Sequence, residues 1–105
     1  MTIVHRRIFF GKVGTADQIV KLLKEFEKLA KTSGAAPQTT RILTDYHSGR
    51  TDRVTWVWEV KSIDAMEASI GKTMADPKLG PKFEAWFKRL SALIDYAEVE
   101  NWTLR

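Results

Sequence analysis

The chain has no cysteine, which removes disulfides, thiolate metal ligands and a cysteine nucleophile from consideration. It also lacks any apolar run near the roughly 20 residues needed to span a bilayer as a helix. Charge at His5, Arg6 and Arg7 falls where a secretory leader would need its apolar stretch. These absences set the expectation of a cytoplasmic protein with no membrane partner. Proline and glycine are sparse, at three and six residues, and no linker, internal repeat or low-complexity segment divides the chain. Charge of one sign is not concentrated either. The 17 Lys and Arg against 13 Asp and Glu leave a net +4, and Lys12, Lys21, Lys24, Lys28 and Lys31 alternate with acidic and apolar residues. That spacing is a solvated helix face and gives no footprint for nucleic acid.

What is present fits one globular domain: 105 residues, 44% of them hydrophobic and 29% charged, within the usual size range. A chain this short buries roughly 60–70% of the surface its unfolded form exposes, so part of the stabilising burial is expected between subunits.

The pattern along the chain gives the elements. Ile3 to Phe10 is rich in β-branched and aromatic residues and ends at Gly11, a first strand. Thr15 with Gln18 three residues on has the form of a capping box. Behind it Ile19, Leu22, Leu23, Phe26, Leu29 and Ala30 recur at helical spacing up to Ser33-Gly34. Gln38–His47 and Arg53–Lys61 read as two strands joined by five residues containing Gly49, an antiparallel hairpin. Ser62 caps a second helix carrying Ile63, Met66, Ile70 and Met74. Asp76-Pro77 and Gly80-Pro81 interrupt it, because proline lacks the helical donor and constrains its predecessor. A third helix from about Pro81 aligns Phe83, Trp86, Phe87, Leu90 and Leu93, and Tyr96 to Leu104 forms the last strand. The order predicts an α+β, ferredoxin-like βαββαβ domain over residues 1–105, its second helix split in two.

Period-two sorting of the strands places Val4, Ile8, Phe10, Ile42, Tyr46, Val54, Trp56, Trp58, Val60, Ala97 and Val99 beneath the helices. His5, Arg7, Phe9, Leu43, Asp45, Val57, Glu59, Glu98, Glu100, Trp102 and Leu104 then occupy the open side. That side is too apolar to be left wholly in water, and burying it against its own copy across a two-fold axis predicts a homodimer.

Candidate chemistry is limited. His5 and His47 are the only histidines and have no metal-ligand spacing, so no metal site is expected. His5 is the candidate general base, with Tyr46 and Asn101 as further polar candidates for adjusting protonation. Trp56, Trp58, Phe83, Trp86 and Phe87 are the candidate walls of an aromatic pocket for a small apolar or aromatic ligand. Gly11-Lys12-Val13-Gly14 has neither the dinucleotide-binding nor the Walker pattern, and no cofactor is expected. Trp56 and Trp58 echo the alternate aromatics of an RNA-recognition motif, but its Lys/Arg-Gly-aromatic-Gly core is missing.

The stretch Arg53-Val-Thr-Trp-Val-Trp-Glu-Val-Lys-Ser-Ile-Asp64 resembles the third strand and helix start of NIPSNAP-like families, with Trp58, Ser62 and Ile63 fitting the pattern. Ala75-Asp76-Pro77 followed by a helix bearing Phe83 and Trp86 resembles the same families' Asp-Pro break. The resemblance extends in element order over nearly the whole chain. It implies a four-stranded antiparallel sheet and a dimeric α/β barrel, in a superfamily that includes the antibiotic-biosynthesis monooxygenases. Under it, the chain is either a cofactor-independent monooxygenase-like enzyme for a small aromatic or polyketide-type compound, or a non-catalytic ligand-binding or interaction dimer.

Overall fold

The computed structural model describes residues 1–33, 40–45 and 51–105. Its elements run β1 (Ile3–Gly11), α1 (Ala16–Ser33), β2 (Thr40–Thr44), β3 (Arg53–Val60), α2 (Ile63–Ala75), α3 (Leu79–Leu93) and β4 (Ile94–Thr103). The strands form one antiparallel sheet in the order β2-β3-β1-β4. Each non-adjacent pair joined by helices, β1 with β2 and β3 with β4, has one strand between its members, the split βαβ arrangement of a ferredoxin-like fold. The expected element order is present. Tyr46, His47 and the first part of the expected hairpin turn, Ser48 to Arg50, lie outside the described residues.

Two helix starts differ from the sequence expectation, each for a local reason. Thr15 does not close a capping box: its hydroxyl donates to the carbonyls of Lys12 (2.5 Å) and Leu93 (3.1 Å). The capping is done instead by Asp52, just before β3, whose carboxylate accepts from the N–H groups of Gly14 (3.0 Å) and Ala16 (3.1 Å). Those bonds hold the Asp52 carboxyl below its ordinary pKa, as expected of a carboxylate satisfying free helix donors. Gly11 permits this junction, since a Cβ there would lie 2.6 Å from the Thr15 hydroxyl and 2.8 Å from the Asp52 carbonyl. At the other break, Asp76 accepts from the N–H groups of Lys78 (2.8 Å) and Leu79 (3.0 Å). It thereby starts α3 two residues before Pro81, which falls in the first turn where its missing donor does no harm.

The register corrects one expected face. His5 pairs with Trp58 and Asn101, Arg7 with Trp56 and Val99, and Phe9 with Val54 and Ala97. Directly opposed residues share a face, so His5, Arg7 and Phe9 stand with the tryptophans beneath the helices. Val4, Arg6, Ile8 and Phe10 take the open side, the reverse of the expectation for β1. The other strands keep their expected faces, so the open side holds Leu43, Val57, Glu59, Glu100 and Trp102 as anticipated. Phe10 on that side is covered by Tyr96, stacked at 4.3 Å between ring centroids.

The core joins Phe9, Val54, Trp56 and Trp58 of the sheet to Ile19, Leu22 and Leu23 of α1 and to Trp86 and Leu90 of α3. The buried Trp86 indole donates to the Leu22 carbonyl at 2.6 Å, which ties α3 to α1 while satisfying a polar group that would otherwise be stranded. By contrast, α2 has no buried residue. It stands away from the sheet, and the space beneath it is a cavity.

Candidate functional site

A cavity of about 320 Å³ lies between the sheet and the three helices. Its floor is the concave helix-side face of β1 and β3, with Arg7, Phe9, Trp56 and Trp58. On one wall α1 contributes Phe26, Glu27 and Ala30. Phe83, Trp86, Phe87 and Leu90 come from α3, and Met66, Ile70 and Met74 roof it from α2. The helical spacing of the last three gives one apolar residue per turn; Met66 packs against the core, while Ile70 and Met74 border the cavity without a packed neighbour beneath them. Ile70 and Met74 therefore stay 38% and 40% exposed.

The aromatic walls support one another. Phe26 meets Trp56 edge-on at 5.1 Å and lies 4.7 Å from both Phe83 and Trp86, and Trp56 meets Trp58 at 4.8 Å. Such tilted and edge-on contacts are the favourable geometries for aromatic quadrupoles. The Trp56 indole donates to the Glu27 carboxylate at 3.1 Å, which fixes both groups at the wall.

From the floor a polar chain runs along the same sheet face. His5 is 1% exposed, with its ring 4.5 Å from that of Trp58. Its Nδ1 bonds the Asn101 side-chain oxygen at 2.6 Å, and its Nε2 accepts from Arg7 Nε at 3.1 Å. Arginine can only donate, so Nε2 carries no proton and the neutral ring must hold its hydrogen on Nδ1, facing Asn101. The tautomer is set by its partners. Burial, with a smaller contribution from the nearby Arg7 charge, keeps His5 below its ordinary pKa despite the opposing Asn101 bond. It is a neutral ring with both nitrogens engaged.

The structure thus brings His5 and Asn101 into direct contact, at the floor rather than in the cavity lining. It places Trp56, Trp58, Phe83, Trp86 and Phe87 together around the cavity, and Tyr46 lies outside the described residues. Sequence reasoning missed Arg7, Glu27 and the α2 roof as parts of the site. The signal for Arg7 was available only through its pairing with the tryptophan strand. Among the described residues, no group of three His, Asp or Glu side chains is placed to hold a metal ion, and no helix is long and apolar enough to cross a membrane.

No protein-family model matches the chain, and no curated protein is significantly similar to it in sequence. Solved structures are similar in fold. A NIPSNAP family protein from Agrobacterium tumefaciens superposes with a TM-score of 0.77 at 23% identity, covering 100% of this chain and 94% of that one. The cofactor-independent oxygenase SnoaB from Streptomyces nogalater gives 0.69 at 13% identity, covering 99% and 93%. A putative antibiotic biosynthesis monooxygenase from Bacteroides thetaiotaomicron gives 0.70 at 14%, covering 98% and 89%. Sheet order and helix placement put the chain in the ferredoxin-like α+β class. Within that class, its fold is the one shared by NIPSNAP family and antibiotic-biosynthesis-monooxygenase-like proteins, as the resemblance in Arg53–Asp64 implied. At these identities the likeness concerns fold, and function must be argued from the site.

Proposed function

We propose that the cavity under α2 is the substrate site of a small, cofactor-independent, monooxygenase-like enzyme acting on an aromatic or polyketide-type compound. The observation that carries this reading is the cavity itself. It is a space of ligand size, lined by seven aromatic side chains from the sheet, α1 and α3, roofed by a helix with no packed core of its own, and floored by a few fixed polar groups. Those are the properties of small-molecule sites. In this reading His5 and Asn101 are positioning residues, because the His5 nitrogens are occupied and its ring is shielded by Trp58. Rate would come from holding the substrate in one orientation.

The matching reaction is oxidation of an activated ring carbon by dioxygen. An anthrone methylene takes one oxygen atom to become the quinone carbonyl, and the other leaves as water with the two hydrogens. The test is incubation with anthrone- and quinol-type compounds under oxygen, with quinone formation followed by absorbance and ligand binding by tryptophan fluorescence. Turnover supports the enzyme. Binding without turnover supports the second reading, a non-catalytic binding dimer, and the absence of both overturns the pocket assignment.

The homodimer belongs to the same proposal. The open face leaves Leu43 and Trp102 52% and 57% exposed beside Arg6 and Glu100, which pair at 3.0 Å. Leu43 and Trp102 lie on the two edge strands with the Arg6–Glu100 pair in the row between them, and such a mixed face of apolar and charged groups suits an isologous interface. A species of monomer mass in solution at micromolar concentration would contradict it.

A further inference from the structure

Arg7 is the one charged side chain on the helix-side floor of the cavity, set between Trp56 and Val99 in the sheet. Its Nε is spent on His5, and His5 is in turn held by Asn101. The guanidinium is therefore fixed in orientation, with its Nη donors left over. Among the described residues none of those donors has a protein acceptor, and the ion pairs lie elsewhere, at Arg6–Glu100, Arg53–Asp45 and Arg89–Glu25. Glu27, the carboxylate on the α1 wall, is bonded to the Trp56 indole and makes no ion pair with Arg7. A guanidinium cannot shed its charge at ordinary pH, and Arg7, half-buried against an apolar wall, is partly desolvated without an anion, which is unfavourable. Burial shifts its pKa down, the direction of an uncompensated cation.

We infer that the cavity is selective for a planar aromatic monoanion whose anionic oxygen, a carboxylate or an ionised phenol or enol, is received by the Nη edge of Arg7. This rests on the pocket reading above and adds the chemical class of its occupant. The planar fork of arginine suits two oxygens of one carboxylate or a single oxyanion between its donors. His5 and Asn101 serve as the positioning residues that pre-orient it.

The test is titration calorimetry with 2-naphthoate and with 2-naphthamide, which match in shape and differ in charge. Wild type is expected to bind the acid about tenfold more tightly than the amide, the worth of a hydrogen bond to a charged group. Arg7→Gln should erase that preference while retaining amide binding, and Arg7→Lys should keep part of it. Equal wild-type affinities for acid and amide would overturn the assignment of Arg7 and leave the pocket standing, and this comparison needs no variant. Retention of the full preference in Arg7→Gln would overturn it as well. Failure of both probes to bind wild type would overturn the pocket reading together with this one.

Discussion

Helices α1 and α2 both present an apolar stripe toward the same sheet, yet only α1 is packed down. In α1, Ile19, Leu22, Leu23 and Phe26 follow the i, i+3, i+4, i+7 spacing that gives a broad stripe, and Ile19 and Leu23 are fully buried. In α2, Ile63, Met66, Ile70 and Met74 supply one residue per turn, flanked by Ala65, Ala68, Ser69 and Thr73. Each fully buried large aliphatic stabilises the fold by roughly 1.5–3 kcal/mol, so a stripe half as wide offers much less reason to close onto the sheet. The methionines add conformational freedom that suits an adaptable wall more than a fixed core. Stripe width therefore separates a helix that builds the core from one that roofs a cavity.

That contrast can be broken by substitution. Leu23→Ala is expected to have the largest effect, a loss of about 2–5 kcal/mol of stability in urea denaturation, because it opens a hole in a packed core. A loss below about 1 kcal/mol would mean that α1 is no better packed than α2.

The effect of pH should be intermediate. Folding lowers the pKa of His5 from its ordinary 6.5. The unfolded chain then takes up a proton near that pH which the folded chain resists, and stability, full above about pH 6.5, declines as pH falls below it. The urea midpoint should drop between pH 7.5 and 5.5, and the drop should flatten in His5→Asn. An unchanged slope in that variant would show that His5 is not the group responsible. Asp52 and Asp76, both held below 3.8, lose their contribution only at more acid pH and do not interfere in this window.

Smallest is Ile70→Ser on the α2 roof, expected to change stability by less than about 1 kcal/mol. It should nevertheless weaken 2-naphthoate and 2-naphthamide together, since it removes apolar wall and leaves Arg7 alone. A stability loss comparable to that of Leu23→Ala would show that α2 is core after all.

Most of the fold was legible in the sequence because its signals are local. The α1 stripe, the Ser62 cap, which accepts from the Ala65 N–H at 3.1 Å, and the Asp76-Pro77 break each act within a few residues. The aromatic walls were legible too, as large residues at helical and strand spacing. The site's charge was not. His5-Arg6-Arg7 is polar at three successive positions and Ile8-Phe9-Phe10 apolar at three, so β1 carries no alternation from which a face could be read. The capping of α1 by Asp52 was hidden for a related reason: the carboxylate comes from the residue just before β3, 36 residues from Ala16.

By itself, then, the sequence determined the order of elements, the break between α2 and α3, and which large side chains would be available to wall a pocket. These follow from propensities and periodicities that the chain expresses locally. Only the tertiary structure decided that His5, Arg7 and Phe9 lie with Trp58, Trp56 and Val54 beneath the helices. A strand without alternation takes its face from the register of its neighbours, and one residue of slip would have turned Arg7 out of the cavity.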